Sequence, residues 1–369
     1  MFSIARENRC EGSRMERRKT RQVMVGNLTI GSGNRVAVQT MWDSPMPAPQ
    51  DHASFDNLID KLRMYRTMGC DIVRFSYPDT RDREVFTRIC AQSPMPVVAD
   101  IHFDWKLAME ALSSGAQKIR INPGNIGARW KVDEVVRSAK DHGAAIRIGL
   151  NGGSLPLHLA GQDHVQGMVS TALTYIEWFE ALDFNQMVIS LKDTDTETTY
   201  LANKALAPLM PYPLHLGVTE AGGVISSVTR STWVLGRLLT EGIGDTLRIS
   251  ITDDREHEIA AAREILRTVG VETSGIRVVS CPRCGRATFD SQGFLKKIQN
   301  RLLSCNVPLT VAIMGCQVNG PGEAAHADLA ITGIGNKVYL YEKGRLVREI
   351  HAETAEQVLF EHVEALIHA

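Results

Sequence analysis

The chain has 369 residues, with 44% hydrophobic residues, 22% charged residues and a formal net charge of -1. This length allows one large or two ordinary domains, and the balance of apolar and charged residues is typical of a globular protein. The near-zero charge argues against a general nucleic-acid-binding surface, and the sequence lacks the 18 or so consecutive apolar residues of a transmembrane helix.

Residues 1–21 differ from the rest of the chain in being rich in arginine and lysine. Glu7, Glu11 and Glu16 are interspersed with the basic residues and no apolar core follows, so neither a secretory nor an organellar signal is matched. We expect a solvated or partly ordered N-terminal arm. Seven cysteines without a secretory signal are typical of a reducing compartment, which predicts a cytoplasmic protein.

From residue 35 onward, short β-branched runs alternate with segments of helical periodicity. The eight runs are VAVQT (36–40), DIVRFS (71–76), PVVADIH (96–102), KIRINPG (118–124), AIRIGLN (145–151), MVISLKD (187–193), LHLGVTE (214–220) and LRISIT (247–252). This α/β alternation predicts a (β/α)8 TIM barrel over residues 22–271. An open doubly wound sheet is the alternative, but no G-x-G-x-x-G follows the first run.

The alternation stops near residue 272, and a smaller α+β domain is predicted for residues 272–369. The amphipathic segment 353–369 predicts a C-terminal helix. The cysteine motifs all follow this boundary, so metal binding is predicted for the second domain and not for the barrel.

Barrel enzymes place their sites at the C-terminal ends of the strands, so the last residues of each run are the candidates. They are Gln39, Arg74, Asp100, His102, Arg120, Asn122, Arg147, Asn151, Lys192, Asp193, Thr219, Glu220, Arg248 and Ser250. Five of these strand ends carry a cation, and burying that much positive charge without an anion costs several kcal/mol per ion. Guanidinium groups pair bidentately with phosphate oxygens, which predicts a phosphate or diphosphate ester as substrate.

Two features of the same strand ends support or complicate this prediction. Gly124 and Gly127 in INPGNIG would let backbone N–H groups turn toward an oxyanion, although such a loop is also ordinary turn chemistry. Lys192 would serve most simply as a phosphate contact, with Asp193 tempering its charge. A Schiff-base lysine in an aldolase-like barrel is the alternative.

Cysteines with metal-ligand spacing follow the barrel. Cys281 and Cys284 form a C-x-x-C pair, and Cys316 follows in MGCQVNGPGEA. Zinc would take Cys305 as its fourth ligand, whereas an iron–sulfur cluster would take either Cys305 or an oxygen of Glu323. A hard carboxylate is displaced from iron more easily than a thiolate, so the choice of fourth ligand decides whether the site can bind substrate.

The motifs SCPRCGR, MGCQVNGPGEA, ADIHF, IRINPGNIG, RIGLNGGSL and LHLGVTEAG occur in one chain and in one order. Together they resemble the bacterial, two-domain 4-hydroxy-3-methylbut-2-enyl diphosphate synthases of the methylerythritol phosphate route to isoprenoids. The resemblance runs from about residue 22 to the C-terminus. It implies reductive ring opening and dehydration of 2-C-methyl-D-erythritol 2,4-cyclodiphosphate, with two single electrons from ferredoxin or flavodoxin.

The resemblance also implies a [4Fe-4S] cluster on Cys281, Cys284, Cys316 and Glu323, and a homodimer in which the cluster domain of one protomer closes over the partner's barrel. Its implied substrate contacts are Arg74, Arg120, Asn122, Arg147, Asn151, Lys192, Thr219, Arg248 and Ser250. Glu220 is the candidate proton donor, because a dry pocket at the end of strand seven would raise its pKa. Asp100 and His102 are second candidates or orient the sugar hydroxyls.

Two other interpretations remain open. One is a phosphosugar aldolase-like barrel with a structural zinc domain, and another is a zinc module that binds RNA or protein beside a scaffold barrel. The first strand continues as VAVQTMWDSP, where the family has a more Thr- and Asn-rich run, so the roles of Gln39 and Met41 are left unassigned.

Overall fold

The structure is a computed structural model that describes residues 16–154, 163–282, 284–305, 307–316, 322 and 325–367. Two compact units divide these ranges. The first runs over residues 16–66 and 70–272, and the second over residues 67–69 and 273–367. None of the helices in the described ranges is long and apolar enough to cross a membrane.

A short antiparallel hairpin of β1 (Val23–Val25) and β2 (Leu28–Ile30) opens the first unit. Gly26 makes its turn with a φ of 59°, a conformation that favours glycine. The hairpin packs in one apolar cluster with Ala37, Ile72, Val98, Ala145 and Val188. These five residues lie at the starts of their strands, so the hairpin covers the N-terminal end of the barrel.

Eight parallel strands form the barrel. They are β3 (Ala37–Met41), β4 (Ile72–Ser76), β5 (Val97–Asp100), β6 (Lys118–Ile121), β7 (Ala145–Asn151), β8 (Met187–Lys192), β9 (His215–Leu216) and β10 (Thr246–Leu247). Their hydrogen-bonded order is β8-β7-β6-β5-β4-β3-β10-β9. The Ile189 N–H donates to Pro213 O at 2.9 Å, and Ile189 bridges Leu214, which joins β8 to the start of β9. The predicted barrel is therefore confirmed, and the open-sheet alternative is wrong.

Helices follow the strands in the order that the barrel requires. They are α1 (His52–Thr67), α2 (Arg83–Gln92), α3 (Trp105–Ser113), α4 (Pro123–Ile126), α5 (Arg129–Asp141), α6 (His164–Ala181), α7 (Thr196–Leu206), α8 (Val224–Thr240) and α9 (Arg255–Thr268). Aspartates start several of them: Asp104, Asp163 and Asp195 each accept a hydrogen bond from a backbone N–H of the first turn. These N-caps sit in the βα loops and fix where each loop ends.

The last two barrel strands are shorter than their apolar runs predict. β9 ends at Leu216 and β10 at Leu247, so the residues that follow each strand lie in irregular segments. Gly217 has no room for a side chain, because a Cβ there would lie 2.4 Å from Lys192 Nζ and 2.6 Å from Arg248 O. The segment after β9 therefore packs closely against polar groups at this end of the barrel.

Two arginines of the N-terminal segment are held against barrel loops. Arg17 Nη2 donates to Gly244 O at 2.9 Å and to Asp245 Oδ1 at 3.0 Å. Arg18 Nη1 donates to Ala207 O at 2.8 Å and to Met210 O at 2.7 Å. Arg17 and Arg18 of the predicted arm are therefore ordered against the barrel, whereas residues 1–15 lie outside the described residues.

In its described residues, the second unit contains a five-stranded mixed sheet that packs with two long helices. Its strands are β11 (Arg277–Ser280), β12 (Thr310–Met314), β13 (Leu329–Ile334), β14 (Lys337–Glu342) and β15 (Arg345–His351), and its helices are α10 (Ser291–Ser304) and α11 (Ala355–Ile367). β11, β12 and β13 are parallel neighbours, and β14 and β15 continue the sheet antiparallel. Apolar residues of both helices, such as Ile298 and Phe360, share a buried core with the sheet.

Candidate active site

The C-terminal ends of the barrel strands surround a cavity of about 310 Å³. The predicted residues that line it are Arg74, Asp100, His102, Arg120, Arg147, Asn151, Lys192, Thr219, Glu220, Arg248 and Ser250. The fold thus gathers side chains from seven different strand ends around one cavity.

Among the implied substrate contacts, Asn122 is the one that does not line the cavity. It is buried and caps the four-residue helix α4, where its Oδ1 accepts a hydrogen bond from the Gly124 N–H at 3.1 Å. The Gly124 N–H is therefore engaged within the loop. This finding favours the turn interpretation of INPGNIG over the oxyanion interpretation.

Buried cations dominate the cavity floor. Arg74, Arg120, Arg147 and Lys192 are all buried, and Asp100 is the carboxylate between them. Asp100 lies 3.5 Å from Arg74 Nε and 3.3 Å from Arg120 Nη1. Burial by itself would raise the pKa of Asp100, but the charges of Arg74 and Arg120 hold that pKa well below its usual range.

The buried cations also lower one another's pKa values. Burial, followed by the repulsion of neighbouring arginines, lowers the pKa of Lys192 and of Arg147 well below their ordinary values. Burial lowers the pKa of Arg74 to about 10. One carboxylate does not balance four cations, so the cavity floor has the charge of an anion-binding site.

Four cavity residues have buried polar atoms that lack a hydrogen-bond partner among the described residues: Arg74 and Arg120 at Nε, Arg147 and Thr219. Arg147 is 3% exposed, and its Nε and Nη1 find no hydrogen-bond partner among the described residues. Thr219 Oγ1 is likewise buried without a partner in the described part of the chain. Unpaired buried donors are costly, so we expect these atoms to contact a ligand.

Replacing Asp100 with asparagine should destabilise the barrel, because it leaves Arg74 and Arg120 buried without their counter-charge. We expect the free energy of unfolding at pH 7 to fall by about 3 to 5 kcal/mol. Urea unfolding followed by tryptophan fluorescence measures this selectively, because all five tryptophans, at positions 42, 105, 130, 178 and 233, lie in the first unit.

The pH dependence has a defined sign. The native pKa of Asp100 is depressed, so its stabilisation is complete above the unfolded-state pKa of about 3.9 and is lost as the pH falls below it. The difference between wild type and the Asp100→Asn variant should therefore be constant from pH 5 to 7 and shrink below about pH 4. Equal stability of the two proteins at pH 7 would contradict the prediction.

Arg248 has a partner that the sequence did not reveal. Glu258 of α9 accepts from Arg248 Nε at 3.1 Å and from Arg248 Nη2 at 2.8 Å, a bidentate pair. Glu258 is also three residues after Arg255, with which it pairs. That spacing is the one sequence signal that could have drawn attention to it.

Asp193 does not temper the charge of Lys192 as expected. Its Oδ2 lies 2.9 Å from His164 Nε2, and its Oδ1 accepts from the Asp195 N–H at 2.8 Å. A Cβ on Gly152 would overlap Asp193, so the missing side chain at 152 permits this arrangement. Asp193 therefore ties the end of β8 to the start of α6.

Gln39 and Met41 contact different cations of the barrel. Met41 Sδ accepts from Arg74 Nη2 at 2.9 Å, at the edge of the cavity. Gln39 is buried and its Oε1 lies 3.4 Å from the ammonium nitrogen of Lys118, a fully buried residue that sequence reasoning passed over. Burial, followed by the charge of Arg147, lowers the pKa of Lys118 well below its ordinary value.

Glu220 lies at the cavity mouth in the segment after β9. It has a φ of 49°, which is uncommon for a residue with a side chain and occurs often at functional sites. Glu220 is exposed, so the described residues do not enclose it in the dry pocket that we expected. His102 is also exposed, with Nε2 3.6 Å from Asp100 Oδ2.

The cysteines with metal-ligand spacing lie in the second unit. Cys281 follows β11 and Cys316 follows β12, and these strands are parallel neighbours. The Gly315 N–H donates to Cys281 Sγ at 3.2 Å, the kind of contact that stabilises a thiolate bound to iron. Cys284 is exposed, and Glu323 lies outside the described residues.

The described residues contain no group of three or more His, Cys, Asp or Glu side chains close enough to hold a metal ion. The donor chemistry nevertheless fits a soft metal centre, because two cysteine-bearing strand ends are adjacent and one sulfur accepts a backbone hydrogen bond. Cys305 ends α10 and packs against the apolar core of the unit. Its Sγ lies 3.4 Å from Arg301 O, within its own helix end, which is the environment of a structural cysteine.

Residues 20–263 match the family described as GcpE TIM-barrel domain, and residues 277–365 match GcpE protein C-terminal domain. Among similar proteins, 4-hydroxy-3-methylbut-2-en-1-yl diphosphate synthase (flavodoxin) of Symbiobacterium thermophilum is 43% identical over 353 residues, covering 95% of this chain and 94% of that protein. The protein of the same name from Geobacter sulfurreducens is 41% identical over 352 residues, with 95% and 98% covered.

The solved structures give a coarser likeness. Dihydropteroate synthase from Thermus thermophilus matches with a TM-score of 0.50 and 16% identity, covering 67% of this chain and 97% of that structure. At this identity the likeness concerns the barrel fold alone. Matches of sequence to both domains, over nearly the full length of the relatives, carry the assignment: the chain belongs to the GcpE family.

Proposed function

We propose that the protein is an oxidoreductase that opens and dehydrates 2-C-methyl-D-erythritol 2,4-cyclodiphosphate, giving (E)-4-hydroxy-3-methylbut-2-enyl diphosphate in isoprenoid precursor biosynthesis. The observation that carries the proposal is the cavity in which four buried cations face a single buried carboxylate and Arg147 keeps unpaired donors. Such a cavity is complementary to a diphosphate. The names of the relatives supply the reaction.

The cavity residues then divide by task. Arg74, Arg120, Arg147 and Lys192 bind the diphosphate, and its negative charge relieves their mutual repulsion and favours the charged form of Lys192. Additional contacts come from Asn151, Thr219, Arg248 and Ser250. We retain Asn122 as a residue that shapes the loop after β6, since its side chain caps α4.

We assign proton transfer to residues at the cavity mouth. Asp100 stays ionised between two arginines, so it orders them and does not donate a proton at neutral pH. Glu220 lines the cavity in a strained backbone conformation and is our proton donor to the departing oxygen. His102, beside Asp100, is the second candidate.

The family implies an iron–sulfur centre, and we propose that residues 272–369 hold it as a [4Fe-4S] cluster on Cys281, Cys284, Cys316 and Glu323. When bound, such a cluster supplies electrons one at a time to the substrate. Residues 22–271 bind the substrate in this proposal. The printed names of the relatives favour flavodoxin as electron donor over ferredoxin. The homodimer and the cytoplasmic location stay predictions.

The aldolase-like alternative with structural zinc is not favoured, because its sequence support was limited to Lys192 and Cys305. Lys192 lies among arginines in the cavity, and Cys305 is partly buried and packs against the apolar core of the second unit. The relatives that match both domains also bear the name of the reductive enzyme.

Glu220→Gln provides the test of the proposed chemistry. Loss of a general acid should lower turnover of the cyclic diphosphate by about 100-fold or more, while substrate affinity changes less than about threefold. Anaerobic assays of the cluster-loaded protein with reduced flavodoxin measure turnover, and calorimetry without reductant measures affinity.

Glu197→Gln is the matched control, because Glu197 is an exposed glutamate of α7 that pairs with Arg237 away from the cavity. It should leave both quantities unchanged. Wild-type protein that fails to convert the cyclic diphosphate would refute the proposed reaction. Normal turnover in the Glu220→Gln variant would remove only the assignment of Glu220.

A further inference from the structure

Glu258 of α9 is a buried carboxylate that holds several groups at the edge of the cavity. It is 1% exposed and accepts hydrogen bonds from Thr40 Oγ1 at 2.8 Å and from the Ile251 N–H at 3.1 Å. Arg248 binds it bidentately, and Arg255 contacts the same carboxylate. Five hydrogen bonds from four residues thus converge on one side chain.

Glu258 contacts a segment of the cavity wall, residues 248–251, that has no regular secondary structure. Arg248, Ser250 and Ile251 all line the cavity, and all three follow the end of β10 at Leu247. The Arg248 N–H still donates to Leu216 O at 3.0 Å, which fixes the backbone of Arg248 but not its side chain. The bidentate pair engages Nε and Nη2 of Arg248, and the Ile251 contact fixes the chain three residues further on. Glu258 therefore holds the side chain of Arg248 and the backbone of Ile251 beyond the end of the strand.

We propose that Glu258 is a positioning residue, whose carboxylate sets Arg248 and the segment 248–251 in the geometry that binds the diphosphate. The inference rests on the proposed function for the identity of the ligand. Arg248 touches the ligand, and Glu258 acts through Arg248.

Glu258→Gln should change the affinity for the ligand in opposite directions, depending on whether Glu258 positions Arg248 or only balances charge. Replacing Glu258 with glutamine removes a negative charge near the cavity, which by electrostatics alone would tighten the binding of an anion. It also breaks the bidentate pair and frees Arg248 to turn away. Charge-assisted bidentate pairs are strong, so we expect the second effect to win and the Glu258→Gln variant to bind the cyclic diphosphate about tenfold more weakly.

The experiment is calorimetry of the cyclic diphosphate with cluster-loaded protein and no reductant, on Glu258→Gln, Arg248→Met and the double variant. If Glu258 acts through Arg248, adding Glu258→Gln to Arg248→Met should change the affinity by less than about twofold. Thr40→Val serves if Glu258→Gln folds poorly, because it removes one hydrogen bond to Glu258 without changing charge, and should weaken binding about threefold.

Asp71→Asn is the matched control. Asp71 is buried, pairs with Arg35 and Arg66, and accepts from the Val38 N–H, but it lies before β4 at the opposite end of the barrel. It should lower stability and leave affinity unchanged. Unchanged or tighter binding in the Glu258→Gln and Thr40→Val variants, together with weaker binding in Arg248→Met, would overturn the inference alone. Unchanged binding in Arg248→Met would instead remove Arg248 from the proposed substrate site.

Discussion

Replacing Arg147 with methionine should weaken binding of the cyclic diphosphate by at least about 100-fold, because each charge-assisted hydrogen bond is worth about 1.5 to 3 kcal/mol. Arg147 is buried on β7, and its Nε and Nη1 have no partner among the described residues. The variant loses at least two such bonds to the ligand. Calorimetry on the protein without reductant gives the affinity directly.

The same substitution should stabilise the protein in the absence of ligand. Arg74 and Arg120 repel Arg147, and burial disfavours its charge, so an apolar side chain of similar length removes an unfavourable interaction. We expect the free energy of unfolding of the barrel to rise by about 1 to 4 kcal/mol. Such opposite changes in stability and affinity are typical of a residue retained for binding.

Arg137→Met is the control for this experiment. Arg137 is an exposed arginine of α5 whose Nη1 pairs with Glu134. Its replacement should change stability by less than about 1 kcal/mol and leave affinity unaltered. Retained affinity in the Arg147→Met variant would mean that the unpaired donors of the cavity do not bind the diphosphate.

Replacing Cys281 or Cys316 with serine should abolish the metal centre. A hydroxyl is a poor ligand for iron compared with a thiolate, and both residues follow adjacent parallel strands. Iron and acid-labile sulfide should fall from about four of each per chain to near zero, and turnover should be lost. Protein purified without oxygen and analysed for iron, sulfide and zinc provides the measurement.

Cys305→Ser is the control that separates the two metal hypotheses. Cys305 ends α10 against the apolar core, so its replacement should retain the full iron and sulfide content with a small loss of stability. A wild-type protein with one zinc and no sulfide, and loss of that zinc in the Cys305→Ser variant, would contradict the iron–sulfur proposal and restore the structural-zinc alternative.

The alternation of apolar runs and helical periods was sufficient to predict the barrel and the residues at its rim. Parallel strands bring their C-terminal ends to one edge, so Arg74, Arg147 and Lys192 could be placed together from the sequence alone. The same logic failed for Asn122, because a short polar side chain beside glycines can cap a turn instead of facing a ligand, and only the path of the loop decides between these.

Local sequence determined which residues form strands, where aspartates start helices and which side chains reach the rim, since these depend on neighbours along the chain. Tertiary structure decided which partner each charged group contacts. Asp100 lies between Arg74 and Arg120, Asp193 turns to His164, and Glu258 reaches Arg248 from a helix outside the strands. Electrostatic interactions and hydrogen bonds depend on distances through space, which only the packing of these elements sets.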